Sequence, residues 1–430
     1  MDVSGDLTYH RRVLDDELDE LVTALPAIAL EGPKGVGKTR TALQRAATVR
    51  RLDDPAVLAI AEADPRLLLD GPRPVLLDEW QRLPEIWDAV RRAVDDGAEP
   101  GSFLLTGSAS PAPPPTHSGA GRIVSLRMRP LAMSERRREA AVSLAELLAS
   151  DEAVPVAGET QLGVADYVEE ILASGLPGIR GLPERARRLQ LDGYVRRIVD
   201  RDIPDDAGVA IRNPAALQRW MRAYAAATST TTTFEKLRDA ASAGETSKLS
   251  RAATQTYRDA LARVWVLDEV GAWIPSSNRL RELAQAPKHQ LADPALAAQL
   301  LGVQASTLLE GRAAGPDLPR DGTLLGALFE SLATGSLQVY AARSEAQVKH
   351  LRTVRGRQEV DVVIERPDGR VVAVEVKLSR TIDDGDVKHL SWLQERLGDQ
   401  LLDRVVISTG PEAYRRSDGV AVVPLALLGP

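Results

Sequence analysis

Gly32-Pro33-Lys34-Gly35-Val36-Gly37-Lys38-Thr39 fits the spacing G-x-x-x-x-G-K-[ST], a loop whose backbone N–H groups cradle the phosphates of a nucleoside triphosphate. The flanks suit it. Ala27-Ile28-Ala29-Leu30 reads as a buried strand leading in, and Thr39 to Val49, with Thr41, Ala42, Leu43, Ala46 and Ala47, as a helix leading out. Glycines let the backbone curl around phosphate oxygens, and a helix N-terminus adds partial positive charge. Lys38 is expected to reach the β- and γ-phosphates and the Thr39 hydroxyl to ligate Mg²⁺. The expected nucleotide-binding set is Gly32, Pro33, Lys34, Gly35, Val36, Gly37, Lys38, Thr39 and Arg40.

Two more segments point to the same chemistry. Val75-Leu76-Leu77-Asp78-Glu79 is an apolar strand ending in two carboxylates. Asp78 is expected to hold Mg²⁺ through its water shell, and Glu79 to orient and polarise an attacking water. Ser102-Phe103-Leu104-Leu105-Thr106-Gly107-Ser108 is a third strand, with Thr106 and Ser108 as sensors of the terminal phosphate. Apolar strands with polar C-terminal ends are the pattern of an open parallel sheet, whose ligands bind at that edge.

At 430 residues the chain has room for about three domains. Apolar residues make up 44% and aromatics only 4%, so Leu, Val, Ile and Ala must build the cores. The absence of cysteine excludes disulfides and thiolate metal sites and fits a reducing cytoplasm. No apolar run approaches the roughly 20 residues that span a bilayer, and the acidic start Met1-Asp2-Val3-Ser4-Gly5-Asp6 lacks a signal-peptide pattern. A net charge of −7 argues against a non-specific nucleic-acid coat but leaves room for a local basic groove.

The strand–helix alternation runs to about residue 155, a helical pattern from 156 to 300, and a third region from 301 to 430. In the first region, Pro111 to Gly119 is a proline-rich loop expected close to the nucleotide. In the second, Thr228 to Thr233 reads as a connector or a helix end, and residues 234–275 as a winged helix-turn-helix. Its helices are marked by Phe234, Leu237 and Ala240, by Leu249, Ala252 and Ala253, and by Tyr257, Leu261 and Val264. Thr246 or Ser247 is the expected cap, and Val264 to Leu267 the start of the wing. Ser247, Lys248 and Arg251 would face a DNA groove, and a helical bundle with no nucleic acid fits equally well.

In the third region, Glu359-Val360-Asp361-Val362-Val363-Ile364 and Val372-Ala373-Val374-Glu375-Val376-Lys377 flank Arg366-Pro367-Asp368-Gly369-Arg370. Pro-Asp-Gly suits a three-residue hairpin loop. The register then pairs Ile364 with Val372, Val362 with Val374 and Val360 with Val376, and sets Asp361 opposite Glu375 on the other face. Facing carboxylates repel. Either Lys377 bridges them on a solvated face, or a divalent cation sits between them with Lys377 beside an attacking water. Glu330, on a helix, is a candidate additional ligand.

These segments together resemble the prokaryotic AAA-type ATPases (AAA_14) whose C-terminal half is the DUF4143 domain. The resemblance rests on Gly32 to Thr39, Leu77-Asp78-Glu79-Trp80-Gln81, Leu105-Thr106-Gly107-Ser108, Ala120-Gly121-Arg122 and Pro130 to Glu135. It continues in Gly175-Leu176-Pro177, Pro287 to Asp293, Glu359-Val360-Asp361 and Glu375-Val376-Lys377. It implies a P-loop NTPase α/β domain with a parallel sheet, a helical and winged-helix-like middle, and a C-terminal α/β domain similar to the PD-(D/E)XK nuclease fold. In that module Asp361, Glu375 and Lys377 fit the motif, with Glu330 as the helix acid. It also implies ATP with Mg²⁺ as cofactor, ATP rather than GTP. Arg122, with Arg127 and Arg129 nearby, matches an arginine that completes the site of a neighbouring subunit. DNA or a protein is the implied partner of the C-terminal module. The role as ATP-driven switch, ATP-gated nuclease or scaffold stays open, as does the oligomeric state.

Overall fold

Ala27, Ile28, Ala29 and Leu30 are fully enclosed, and the strand that they form lies inside a parallel sheet. The computed structural model describes residues 9–110, 119–149, 154–206, 208–245, 248–274, 285–310, 323–353 and 357–430. The chain divides into two units. The first holds Met1–Arg129 and two returning segments, Arg201–Ala210 and Arg263–Trp265; the second holds Pro130–Asp200, Ile211–Ala262 and Val266–Pro430.

In the first unit, strands β1 (Ala27–Glu31), β2 (Thr48–Arg51), β3 (Val75–Asp78), β4 (Phe103–Gly107) and β5 (Val124–Arg127) form an all-parallel sheet in the order β2-β3-β4-β1-β5. Helices α1 (Leu14–Val22), α2 (Lys38–Leu43), α3 (Pro55–Ala63) and α4 (Glu85–Asp95) complete it. Burial on both faces explains the unbroken apolar runs. Ala27, Ala29, Val75, Leu77, Phe103 and Leu105 pack with Trp80, Ile86 and Trp87. The alternate residues Ile28, Leu30, Leu76 and Leu104 pack with Leu18 of α1 and Ala42 of α2. Register places Asp78 beside Thr106 and Glu31 beside Gly107, so the polar strand ends share one edge. The helix expected from Thr39 to Val49 stops at Leu43. Ala47 and Thr48 donate their N–H groups to the Pro74 carbonyl, and the β-branched Thr48 and Val49 then pair with Val75 and Leu76.

The second unit contains a seven-stranded mixed sheet. Its strands are β7 (Gly158–Glu159), β8 (Gln347–Arg352), β9 (Glu359–Glu365), β10 (Val371–Val376), β11 (Leu401–Ser408), β12 (Glu412–Arg415) and β13 (Ala421–Pro424), in the order β7-β12-β13-β11-β10-β9-β8. A small pair, β6 (Val142–Ser143) with β14 (Leu428–Gly429), stands apart from that sheet. The β9–β10 hairpin has the expected register, Ile364 against Val372 and Val362 against Val374. Arg366 donates its N–H to the Arg370 carbonyl, and Gly369 takes a left-handed φ of 85° in the loop. Of the two expectations for the second face, the solvated one does not hold: Val363, Val371 and Ala373 are buried with Leu390 and Leu393 of the helix Lys388–Leu397.

The first region is expected to run to about residue 155; by contact, residues from Pro130 onward group with the C-terminal sheet. Met133 and Ser134 donate their N–H groups to Ser336 Oγ and Tyr340 Oη at 3.1 and 2.8 Å, and β7 pairs with β12. Hydrogen bonds between segments about two hundred residues apart leave no local trace in composition. The helices Phe234–Ala241 and Arg251–Arg263 form. After the left-handed Trp265 (φ 60°), the run from Val266 pairs antiparallel with a later segment, Leu267 bridging to Leu291 and Val270 to Lys288. Lys248 and Arg251 are paired with Asp239 and Glu235. The caps Thr246 and Ser247, and the loop 111–118, lie outside the described residues.

The Gly175-Leu176-Pro177 and Pro287–Asp293 motifs meet at one buried carboxylate. Asp293 accepts from Ser174 Oγ at 2.6 Å, from the Gly175 N–H at 2.7 Å and from the Ala295 N–H at 2.9 Å. Asp293→Ala strands buried donors, and is expected to lower unfolding free energy by about 3 kcal/mol, read from urea denaturation.

Candidate functional site

The phosphate-binding loop joins β1 to α2. Gly32 has a φ of 149°, and a Cβ there would come within 2.1 Å of the Met128 carbonyl oxygen, so only glycine fits. The buried Lys38 turns its ammonium onto the Gly32 and Pro33 carbonyls at 2.8 and 2.9 Å. Arg12 donates to the Val36 carbonyl at 2.8 Å and to the Arg129 carbonyl at 2.9 Å, bracing the loop from behind. With those carbonyls engaged, the N–H groups of the loop are left to meet phosphate oxygens. Burial lowers the Lys38 pKa to about 8, against the opposing charges of Glu79 and Asp78. An added phosphate would restore its full charge.

Asp78, at the end of β3, accepts from Thr39 Oγ1 at 2.7 Å and from Thr106 Oγ1. One carboxylate thus ties the start of α2 to strands β3 and β4. Mg²⁺ takes few protein ligands and completes its shell with waters and phosphates, so Thr39 and Asp78 suit it. Glu79 follows with a left-handed φ of 58°, a costly backbone for a side-chain-bearing residue. Its Oε2 accepts from Gln81 Nε2 at 2.5 Å and Ser108 Oγ at 3.2 Å, and Gln81 also donates to Ser108 at 3.1 Å. The D-E-W-Q and T-G-S motifs are therefore one hydrogen-bonded set.

Arg122 does not join this group in its own unit. It precedes β5, at the sheet edge opposite the loop, and pairs with Asp95 at the end of α4 at 2.8 Å. Arg127, at the loop edge beside Glu31, stacks its guanidinium 4.9 Å from the Trp265 ring centre. Lys34 is held by Asp202 at 2.7 Å and by Asp206, two residues that local sequence patterns did not mark. The segment Asp200-Arg201-Asp202-Ile203-Pro204-Asp205-Asp206 is acidic in an otherwise helical stretch, and that is its one visible signal.

In the second unit, Asp361 and Glu375 come together as expected. The ladder stops after Val362–Val374, and Asp361 Oδ2 accepts the Val376 N–H at 2.9 Å. Glu375 is buried, with Oε2 held by Lys377 Nζ at 2.7 Å and Oε1 lacking a hydrogen-bond donor. Burial, then the Asp361 charge, pushes the Glu375 pKa up to about 8. The pair therefore calls for a shared proton or a cation. Glu330, expected as a further metal ligand, holds a cation of the protein's own. Lys288, buried, reaches Glu330 Oε1 at 2.7 Å and the Asp361 Oδ1 and carbonyl at 3.4 and 3.2 Å. Burial would discharge Lys288, but Glu330 and Asp361 outweigh it and raise its pKa. Among the described residues no group of three His, Cys, Asp or Glu side chains is arranged around a metal position. Lys288 was visible only as part of the Pro287–Asp293 motif, since a single lysine in a mixed segment reveals no partner.

Lys288→Met takes the cation from the buried Glu330 and one of the compensating charges from Asp361, and is expected to cost about 3 to 5 kcal/mol in urea denaturation. His350, bonded through Nε2 to the Ala286 carbonyl at 3.2 Å, is lowered to about 4 by burial and then by Lys288. It stays neutral in the folded protein, whereas an unfolded chain takes up its proton below about 6.5. Its contribution is complete above that pH and is lost as pH falls from there through 4. The urea midpoint of His350→Gln should vary less than wild type across that window.

Comparison with known proteins places these segments. Residues 25–136 match an AAA domain, 164–307 a domain of unknown function (DUF8612), and 325–428 a domain of unknown function (DUF4143). Uncharacterized proteins of Mycobacterium bovis and Mycobacterium tuberculosis are each 25% identical over 426 residues, covering 97% of this chain and 84% of theirs. Among solved structures, a Walker-type ATPase of Pyrococcus abyssi is similar over 68% of this chain and 96% of its own, with 14% identity and a TM-score of 0.40. Drosophila ORC bound to DNA is similar over 67% of this chain and 95% of its own, with 12% identity and a TM-score of 0.21. No helix among the described residues is long and apolar enough to cross a membrane. The chain thus carries an AAA-domain match in its N-terminal part and a DUF4143 match in its C-terminal part.

Proposed function

We infer that the first unit binds ATP with Mg²⁺, hydrolyses it, and uses the cycle as a conformational switch for the C-terminal module. The observation that carries this is Asp78 held by both Thr39 and Thr106, with Glu79 fixed beside it by Gln81 and Ser108. That set offers a metal-binding edge and a positioned carboxylate at the end of a parallel sheet, next to a loop built for phosphates.

The residues divide the work as follows. The loop Gly32 to Thr39 binds phosphate oxygens, and Lys38 gives up its two carbonyl contacts to pair with them. Thr39 and Asp78 would hold Mg²⁺, whose charge would offset that of the phosphates. Glu79 takes a hydrogen bond from the attacking water and aims it, while Gln81 and Ser108 keep the carboxylate in place. Thr106 senses the metal through Asp78. Arg122 lies at the far sheet edge, so it would serve a neighbouring subunit's nucleotide rather than its own. Lys38→Ala should abolish ATP binding. Glu79→Gln should bind ATP and lower turnover by about a hundredfold or more. Unchanged turnover in both variants sinks the reading.

A second reading concerns the C-terminal module, whose partner is DNA or a protein. The buried Glu375 Oε1 without a donor, facing Asp361, favours a cation there and so a metal-dependent nuclease of the PD-(D/E)XK kind. Asp361 and Glu375 would hold the metal, with Lys377 beside the attacking water; Glu330 is already committed to Lys288. Wild type should cleave plasmid or single-stranded DNA with Mg²⁺ or Mn²⁺, and Lys377→Ala should not. No cleavage by wild type, with or without ATP, leaves a nucleotide switch that acts on a protein.

A further inference from the structure

Lys34 lies inside the phosphate-binding loop, yet its ammonium is spent on carboxylates. Asp202 Oδ1 is 2.7 Å from Lys34 Nζ, and Asp206 closes on the same nitrogen. Both belong to Arg201–Ala210, one of the two segments that return to the first unit. That segment is the end of a π-helical stretch, Ile198–Asp206, with Pro204 inside it and Ile203 fully buried as its anchor. The side chains of Asp202 and Asp206 are only 11% and 5% exposed, whereas that of Lys34 is 38% exposed. Asp206 also acts on Lys38, whose charge it favours. Two carboxylates at a phosphate-binding loop carry the same net charge as a magnesium-bound triphosphate, so both anions compete for the same cations.

We propose that Asp202 and Asp206 are an acidic latch on the phosphate-binding loop, released when a nucleoside triphosphate takes Lys34 from them. This rests on the reading of the loop as a triphosphate site. The consequence for the segment follows from burial. Carboxylates this enclosed cannot keep their place and their charge once their cation turns to a phosphate. They must move toward water, and the backbone from Arg201 onward must move with them. The segment is covalently continuous with the helices Glu184–Arg197 and Pro214–Ala226, so nucleotide occupancy would be reported to both through the chain itself.

The test compares wild type with an Asp202→Asn, Asp206→Asn double variant, using ATP with MgCl₂. Affinity is read by calorimetry, and amide hydrogen exchange is followed in peptides covering residues 199–210. The variant should bind ATP at least about fivefold more tightly, because binding no longer has to open the latch. Exchange in 199–210 should rise when ATP binds wild type, and be high without ATP in the variant. Equal or weaker binding by the variant overturns the latch while leaving the ATP site intact. Tighter binding with unchanged exchange also overturns it, since charge repulsion alone would then explain the gain. No binding by either protein removes the ATP reading and the latch with it, whereas binding by the variant alone supports both. Asp206→Asn alone carries the same expectations should the double variant fail to fold.

Discussion

The Asp78 carboxylate, bonded by Thr39 from α2 and by Thr106 from β4, fixes the sheet edge on which the candidate site of the first unit is built. It converts a sheet edge into a site, because three separate chain segments must meet in register for both hydroxyls to reach it. The same constraint recurs elsewhere. A buried carboxylate needs donors or a cation. Glu170 is satisfied by Arg136, Arg137 and Arg180. Asp293 is satisfied by three donors, from Ser174, Gly175 and Ala295, and Glu330 by Lys288. Each such residue pins distant stretches of chain to one another at a cost that forbids alternatives. Glu375 differs among the described residues, because its Oε1 has neither a hydrogen-bond donor nor an ion pair.

What could be read without coordinates followed the range of the interaction. The loop Gly32 to Thr39 is local, and its flanking strand lies where the apolar run put it. The β9–β10 register was legible because alternation with a period of two admits one pairing around Pro367-Asp368-Gly369 that keeps its faces consistent. The end of α2 was not legible: Ala46 and Ala47 favour a helix, and only pairing with β3 makes a strand of the residues after them. Lys288, Asp202, Asp206 and Arg12 were equally hidden. Each is a single charged residue whose meaning depends on a partner remote in sequence.

Motifs shared with other proteins also divide once coordinates are in hand. Leu77 to Gln81 and Leu105 to Ser108 converge on the Asp78 and Glu79 carboxylates. Pro130 to Glu135, Gly175-Leu176-Pro177 and Asp293 hold the second unit together through Ser336, Tyr340 and Ser174. Pro287–Asp293 does both kinds of work within seven residues, since Lys288 faces the carboxylates of the hairpin and Asp293 caps the helix Pro294–Leu301. The contact that a motif makes, rather than its residue pattern, therefore says whether it builds the candidate site or the architecture.

The pairing of β6 with β14, and of β7 with β12, sets an order on synthesis. Residues 142–159 leave the ribosome long before residues 412–429 exist to pair with them. The parallel sheet of the first unit is complete by Arg127, so it can form early, whereas the larger sheet must wait for nearly the whole chain. During that interval the segment from Pro130 onward has apolar side chains and unpaired edges without their partners. A nascent chain of this protein is thus an early-folded nucleotide domain trailing a long unfinished one, and chaperones would meet it in that form.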